Sequence, residues 1–256
     1  VPVPTSTRED ELMQGVVLAA GGGTRLRPLT DDCPKTLLPV AEEVSILELA
    51  VANLAAAGVV DVTVVTGHAA HRIEAIADGL ARRHGVTLSL RHNPRHAELN
   101  NAYSLWLVRD LFPDGVLLVN GDTVHPPHVE ERLLAADDDG AVRLALDDRK
   151  ALAEEEMKVE VDDTGQVTCI TKQSSPEAAA GEYIGVARID PGAAELLAAS
   201  LEAAFAADPN RYYEDGFQVL ADRGGRLTVV PITPAAWVEV DDHDDLATAR
   251  RVTAGW

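Results

Sequence analysis

Three sets of side chains in this sequence could do chemistry. The first is Gly21-Gly22-Gly23-Thr24-Arg25-Leu26-Arg27, a glycine turn whose bare backbone amides can approach phosphate oxygens, followed by arginines able to grip them bidentately. It is not a dinucleotide loop, because Leu26 stands where a third glycine is needed, and no Gly-Lys-Ser/Thr follows to make a Walker loop. A triphosphate suits it better than a neutral ligand. The second set is lysine: of the 22 basic residues only Lys35, Lys150, Lys158 and Lys172 are lysines. A compact ammonium can sit between oxygens of two phosphates where a planar guanidinium does not fit. Lys150 reads as ordinary surface charge. Lys158 and Lys172 are expected, from strand alternation, to face the same side of neighbouring hairpin strands and to meet a phosphate. The third set is acidic. Asp122 ends Asn120-Gly121-Asp122 after a buried apolar run, and Asp241 ends Trp237-Val238-Glu239-Val240-Asp241, where a period of two puts Trp237, Glu239 and Asp241 on one face. Two carboxylates arriving from separate strand ends suit Mg²⁺ beside substrate phosphates. Asp242, Asp244 and Asp245 read as solvated or capping acids before a helix.

The elements that must hold these groups can be read from periodicity. Gly15 to Ala20 is a strand buried on both faces, running into the glycines. A helix from Ile46 to Ala57, a strand from Asp61 to Thr66, a helix from Arg72 to His84 and a strand from Thr87 to Arg91 alternate behind it. Val116 to Val119 is another buried strand. Met157 to Thr171 changes to period two around Asp162-Asp163-Thr164-Gly165, a hairpin signature. Gly181 to Ile189 and Arg226 to Ile232 read as strands, Ala193 to Ala207 and Asp244 to Thr253 as helices. The pattern predicts an α/β fold: a Rossmann-like, mostly parallel sheet with helices on both faces and a small hairpin insertion. Residues 13–256 are expected to form one catalytic domain after a disordered lead-in over 1–12.

Composition excludes several classes. The 256 residues carry 22 basic against 42 acidic groups, net −20, so the molecular field repels polyanions and nucleic acid is not an expected partner. No apolar run approaches a membrane span, and the first residues lack a signal-peptide pattern. Cys33 and Cys169 alone cannot build a disulfide scaffold or a zinc cluster. A cytoplasmic protein is the expectation, with a homodimer left open.

The run Thr24-Arg25-Leu26-Arg27-Pro28-Leu29-Thr30, continued by Pro34-Lys35-Thr36-Leu37-Leu38-Pro39-Val40, resembles the signature of the sugar-phosphate nucleotidyltransferase superfamily. The resemblance implies that the loop wraps a nucleotide, that Arg25 holds the departing pyrophosphate, that Lys35 bridges phosphates of both substrates, and that Asp122 and Asp241 ligate the metal. Asn100-Asn101-Ala102-Tyr103-Ser104-Leu105 is similar to a segment of the cytidylyltransferases acting on phosphocholine and related small alcohols and amines. Glu156-Met157-Lys158-Val159, Gly181-Glu182-Tyr183-Ile184-Gly185, Tyr212-Tyr213-Glu214-Asp215 and Val238-Glu239-Val240-Asp241-Asp242-His243 look most like the phosphonate members of that branch, such as the 2-aminoethylphosphonate cytidylyltransferases.

The expected reaction is CMP transfer from CTP to a small phosphonate, of the 2-aminoethylphosphonate or 2-hydroxyethylphosphonate class, with Mg²⁺ and release of pyrophosphate. The catalytic set is Arg25, Lys35 and Lys172. The nucleotide set is Leu18, Ala19, Ala20, Gly21, Gly22, Gly23, Thr24, Asn93, Asn101, Ser104 and Gly121. The acceptor set is Lys158, Glu182, Tyr212, Tyr213 and Glu214: the lysine would meet the anion and repel a trimethylammonium, the carboxylates would select an amine, and the tyrosines would give shape. Phosphocholine or another small phosphate ester, including a sugar 1-phosphate, is the alternative acceptor. Two other classes compete. A nucleotide-sugar glycosyltransferase would be expected to carry Asp-x-Asp where Asn120-Gly121-Asp122 stands, and a non-catalytic nucleotide sensor to lack Lys35 or a metal aspartate.

Overall fold

The computed structural model describes residues 13–137 and 139–256, so the expected lead-in lies outside the described residues. In chain order the elements are β1 (Gln14–Ala19), β2 (Pro39–Ala41), β3 (Val44–Ser45), α1 (Ile46–Ala56), β4 (Asp61–Thr66), α2 (Ala70–His84), β5 (Thr87–His92) and α3 (Asn101–Trp106). They continue with β6 (Val116–Asn120), β7 (Thr123–Val124), α4 (His128–Leu134), β8 (Val142–Asp147), β9 (Lys158–Val161), β10 (Val167–Thr171) and β11 (Gly181–Ile189). The chain closes with α5 (Ala194–Ala207), α6 (Tyr213–Asp222), β12 (Leu227–Pro231), β13 (Val238–Glu239) and α7 (His243–Thr253).

Local chemistry sets the boundaries. The Ser45 hydroxyl accepts the Glu48 N–H and starts α1. Gly85, in the left-handed region, stops α2. Asp242 caps α7 by accepting the Asp244 and Asp245 N–H groups, which is the capping role expected for that acidic run.

One sheet orders its strands β10-β9-β11-β6-β1-β4-β5, with β8 on β11 and β12 on β8. The block β6-β1-β4-β5 is parallel. The other half is built on β11, which runs antiparallel to β6, β8 and β9. Alternation along β1 sends Val16 to one face and Val17 to the other. The first face packs under α3, α5 and α6 through Leu105, Leu197 and Phe217, and the second under α1, α2 and α4 through Leu47, Ile73 and Val129. Burial on both faces is why these strands read as continuous apolar runs.

β1 pairs with β4 on one side and β6 on the other, so the strand order reverses at β1 and a crevice opens at the carboxyl ends of β1 and β6. Both chemical motifs, the glycine loop and Asp122, start there. Two glycines keep it open. A Cβ on Gly121 would lie 2.4 Å from the Leu18 carbonyl oxygen, and one on Gly185, at φ +81, would lie 2.5 Å from Asn120 Nδ2. Gly185 sits where β11 shifts register, letting β11 lie against the end of β6.

Candidate active site

The crevice is a cavity of about 450 Å³. The glycine loop and Lys35 form one part of its lining, the 96–101 turn with Ser104 another, and Met157, Lys172, Tyr183, Tyr212 and Glu214 a third. Gly21 and Gly22 have open space where a Cβ would stand, leaving their backbone accessible. The loop closes on itself where the Thr30 hydroxyl donates to the Gly23 carbonyl at 2.7 Å.

Lys35 is at the centre of a charge cluster. Its Nζ lies 2.8 Å from Asp122 Oδ2 and 2.9 Å from Asp241 Oδ1, and Arg25 lies 2.6 Å from Asp241 Oδ2. Burial works against the Lys35 ammonium, but the two carboxylates outweigh it and hold its pKa above the ordinary value. Burial likewise opposes the Asp241 charge, and Lys35 with Arg25 reverses that and keeps the carboxyl below the usual range. Glu239 joins them: one oxygen each from Asp122, Glu239 and Asp241 lie within 4.8 Å of one another. Desolvation and the charges of Asp122 and Asp241 push the Glu239 pKa up. Asp122 Oδ1 is buried without a hydrogen-bond partner. Three convergent carboxylates, an orphaned buried oxygen and an all-oxygen donor set fit a hard divalent cation.

A family model described as Nucleotidyl transferase matches residues 14–251. The chain belongs to that family. It is 38% identical over 130 residues to the CMP-5'-(3-aminopropyl)phosphonate synthase of Streptomyces rubellomurinus, covering 51% of this chain and 20% of that one. It is 36% identical over 98 residues to the choline-phosphate cytidylyltransferase of Streptococcus pneumoniae, covering 38% of this chain and 40% of that one. These alignments span less than half the length of either relative. The fold superposes on an inositol-1-phosphate CTP transferase from T. maritima with a TM-score of 0.75 at 23% identity, covering 94% of this chain and 96% of that one. No helix among the described residues is long and apolar enough to cross a membrane.

In this nucleotidyl transferase, Leu18, Ala19, Ala20, Gly21, Gly22, Gly23, Arg25, Lys35, Asn101, Ser104, Gly121, Asp122, Lys172, Tyr212, Glu214 and Asp241 all line the one cavity. Five of the expected residues do not. Thr24 is exposed in the turn beyond the loop. Asn93 is fully buried behind the cavity-lining Ser104, donating to its hydroxyl at 2.9 Å. Tyr213 is buried beneath the cavity, where its hydroxyl donates to Asn120 Oδ1 at 2.9 Å and lies 3.1 Å from the Tyr183 hydroxyl. Glu182 is turned away on Lys150, 2.8 Å from its Nζ, so the lysine read as generic charge is the one that neutralises it.

Lys158 is the largest correction. It is 1% exposed, and its ammonium donates to the carbonyls of Glu154 at 2.8 Å, Glu156 at 3.3 Å and Lys172 at 2.8 Å. The three carbonyls satisfy all its protons, so Lys158 ties the loop before β9 to the end of β10. It thereby holds Met157 and Lys172 in the cavity wall. Alanine at 158 would remove three hydrogen bonds and the buried lysine stem and should cost roughly 3 kcal/mol of stability. Equilibrium urea unfolding measures this; an unchanged midpoint would refute the strap role.

Other residues that sequence reasoning passed over also line the cavity, Glu239 and Thr36 among them. Glu239 shares the face of Asp241, a signal already present in the period of two. Thr36 is 2% exposed with an unpartnered hydroxyl, and its adjacency to Lys35 was the available clue.

Proposed function

We propose that this chain transfers CMP from CTP to a small phosphonate or phosphate monoester that carries a hydrogen-bond-donating group at its other end. The observation that carries the acceptor reading is Glu214: it is 6% exposed, lines the cavity, and has one buried oxygen with no partner. A buried, unsatisfied carboxylate is costly unless a ligand supplies a donor. Lys172 lines the same wall, with Nζ 5.9 Å from the Tyr212 ring centre. It offers the cation for the acceptor's anion, the role that Lys158 is too buried to play. The names of the two curated relatives, one a CMP-phosphonate synthase and one a choline-phosphate cytidylyltransferase, favour CTP and a small phosphorus-bearing acceptor.

In this reaction an anionic acceptor oxygen attacks the α-phosphorus of CTP. The new P–O bond forms as the bond to the bridging oxygen of the β-phosphate breaks, and pyrophosphate leaves with the electron pair. The attacking oxygen is already ionised, so no residue need act as a general base. The work left to the protein is alignment and charge neutralisation. The open amides of Gly21 and Gly22 and the Arg25 guanidinium would grip the triphosphate. The Lys35 ammonium, kept charged by Asp122 and Asp241, would meet charge on the transferring phosphoryl group. Mg²⁺ held by Asp122, Glu239 and Asp241 would supply Lewis-acid neutralisation of phosphate charge. The net charge of −20 is no obstacle, because this cationic group acts on the substrate at much less than a Debye length.

An acceptor panel with CTP and Mg²⁺, scored by the mass of the CMP adduct, tests this reading. 2-Aminoethylphosphonate or 2-hydroxyethylphosphonate should exceed phosphocholine in kcat/KM by at least about tenfold, roughly 1.4 kcal/mol of transition-state binding. Trimethylammonium is disfavoured because it has no N–H to donate to the unpartnered Glu214 oxygen. A best acceptor of phosphocholine or a sugar 1-phosphate would overturn the phosphonate assignment. The pH profile gives a further check. Burial pushes the Glu214 carboxyl up to about 7. Below that it is neutral and cannot pair with an ammonium; above it the charge is available. For an amine acceptor, kcat/KM should therefore rise between about pH 6 and 8. Glu214→Gln should remove the part of that rise not due to the phosphonate's own titration.

A further inference from the structure

The three convergent carboxylates rest on very little regular structure. β7 and β13 have two residues each and pair antiparallel, Glu239 against Thr123, and the Val240 N–H donates to the Asp122 carbonyl at 2.9 Å. A two-stranded ribbon this short does not hold its own geometry in water. Its β7 end is tied to α1, where Asn53 Nδ2 donates to the His125 carbonyl at 2.9 Å.

Its β13 end is tied by a different contact. The Trp237 indole N–H donates to Asp147 Oδ2 at 2.8 Å. Asp147 closes β8 and is 6% exposed. Its Oδ1 accepts the backbone N–H groups of Arg149 at 2.9 Å and Lys150 at 3.1 Å. Both carboxylate oxygens are thus used: one makes the turn after β8 rigid, the other holds the indole. An asparagine offers one acceptor oxygen and could satisfy only one of these demands.

We propose that Asp147 and Trp237 are a positioning pair for the cation site, fixing the strand that delivers Glu239 and Asp241. Trp237 is two residues before Glu239 and four before Asp241, on the same face by strand alternation. Rotation or sliding of the indole is transmitted along β13 to both carboxylates. Asp122, just before β7, is joined to this segment through the Val240 N–H and is held from its own side at the end of β6. The inference rests on the cation-site reading and is independent of which acceptor is used.

Mn²⁺ titrated into the full chain, followed by loss of the free-ion EPR signal, tests it alongside thermal unfolding. Trp237→Phe keeps an aromatic side chain and removes the indole N–H; Asp147→Asn removes one acceptor. Each should weaken Mn²⁺ binding by about tenfold, the low end for groups that orient metal ligands from outside. The double variant should be no more than about twofold worse than the weaker single one, because one contact is removed twice. A purely structural contact would lower the unfolding temperature and leave Mn²⁺ affinity alone. Mn²⁺ affinity within twofold of the parent in folded Trp237→Phe overturns the proposal. A parent chain that binds no Mn²⁺ overturns the cation site and the proposal with it, whereas failure of the acceptor panel leaves the titration unaffected. Should Asp147→Asn not fold, Trp237→Phe alone decides.

Discussion

Lys35→Ala should lower kcat by at least about a hundredfold in a folded protein, because it deletes a charge needed most strongly when the phosphoryl group is being transferred. A second consequence distinguishes this from general damage. Lys35 bridges Asp122 at 2.8 Å and Asp241 at 2.9 Å, with Glu239 in the same cluster. Removing its ammonium leaves these carboxylates opposed by Arg25, whose side chain is 66% exposed and therefore well screened. A divalent cation should then bind the substrate-free protein more tightly than it binds the parent. Turnover falls while Mn²⁺ affinity rises, and the two measurements on one variant separate a lost catalytic charge from a broken site. Lys35→Arg should fail almost as badly, since a planar guanidinium cannot place one charge between two carboxylates and a phosphate. Near-normal kcat in folded Lys35→Ala would remove Lys35 from the chemistry.

The second large effect concerns the acids. Asp122→Asn and Asp241→Asn should each weaken Mg²⁺ dependence at least about tenfold and reduce turnover about a hundredfold at saturating CTP. The double variant should be little worse than either single one, because the carboxylates act as a unit. The two positions are not equivalent in the free protein. Asp241 holds both Lys35 and Arg25, whereas Asp122 holds Lys35 through one oxygen and leaves the other buried and unpaired. Asp241→Asn should therefore also free Arg25, which Asp122→Asn should not. Metal-dependence curves from pyrophosphate release measure both effects; full additivity with unchanged Mg²⁺ dependence would make these acids ordinary turn residues.

Much of this site is legible in the chain because its parts are local. The glycine loop, Lys35, Asp122 and Asp241 each follow a short apolar run or a proline-bounded turn, and a parallel block opens its ligand crevice at those strand ends. The strands Asp61–Thr66 and Gly181–Ile189 lie where periodicity puts them, since burial on one or both faces leaves a direct trace in residue type. β8 escaped that reading. Arg143 interrupts its apolar run, and the arginine is tolerated inside because Asp190, distant in sequence, pairs with it together with the nearby Asp139. α6 escaped because Tyr213 and Glu214 read as binding residues; their place in a helix depends partly on Asn101, whose side chain accepts the Tyr213 N–H from across the fold.

Tertiary structure alone decided which of several similar side chains reach the cavity. Strand alternation says that a residue has a face, but not what covers that face. Lys158 and Lys172 were indistinguishable by spacing. The loop over 154–157 folds across Lys158 and takes up its ammonium, while Lys172, just past the end of β10, is left exposed at the cavity. Glu182 and Glu214 separated for the same reason: Lys150 neutralises one, and the other keeps a buried oxygen without a partner. The sequence by itself determined the phosphate loop, the strand-end acids and the parallel half of the sheet, because those depend on neighbours within a few residues. Which lysine and which glutamate face a substrate depends on desolvation and on partners brought from elsewhere in the chain, and only the packed fold supplies both.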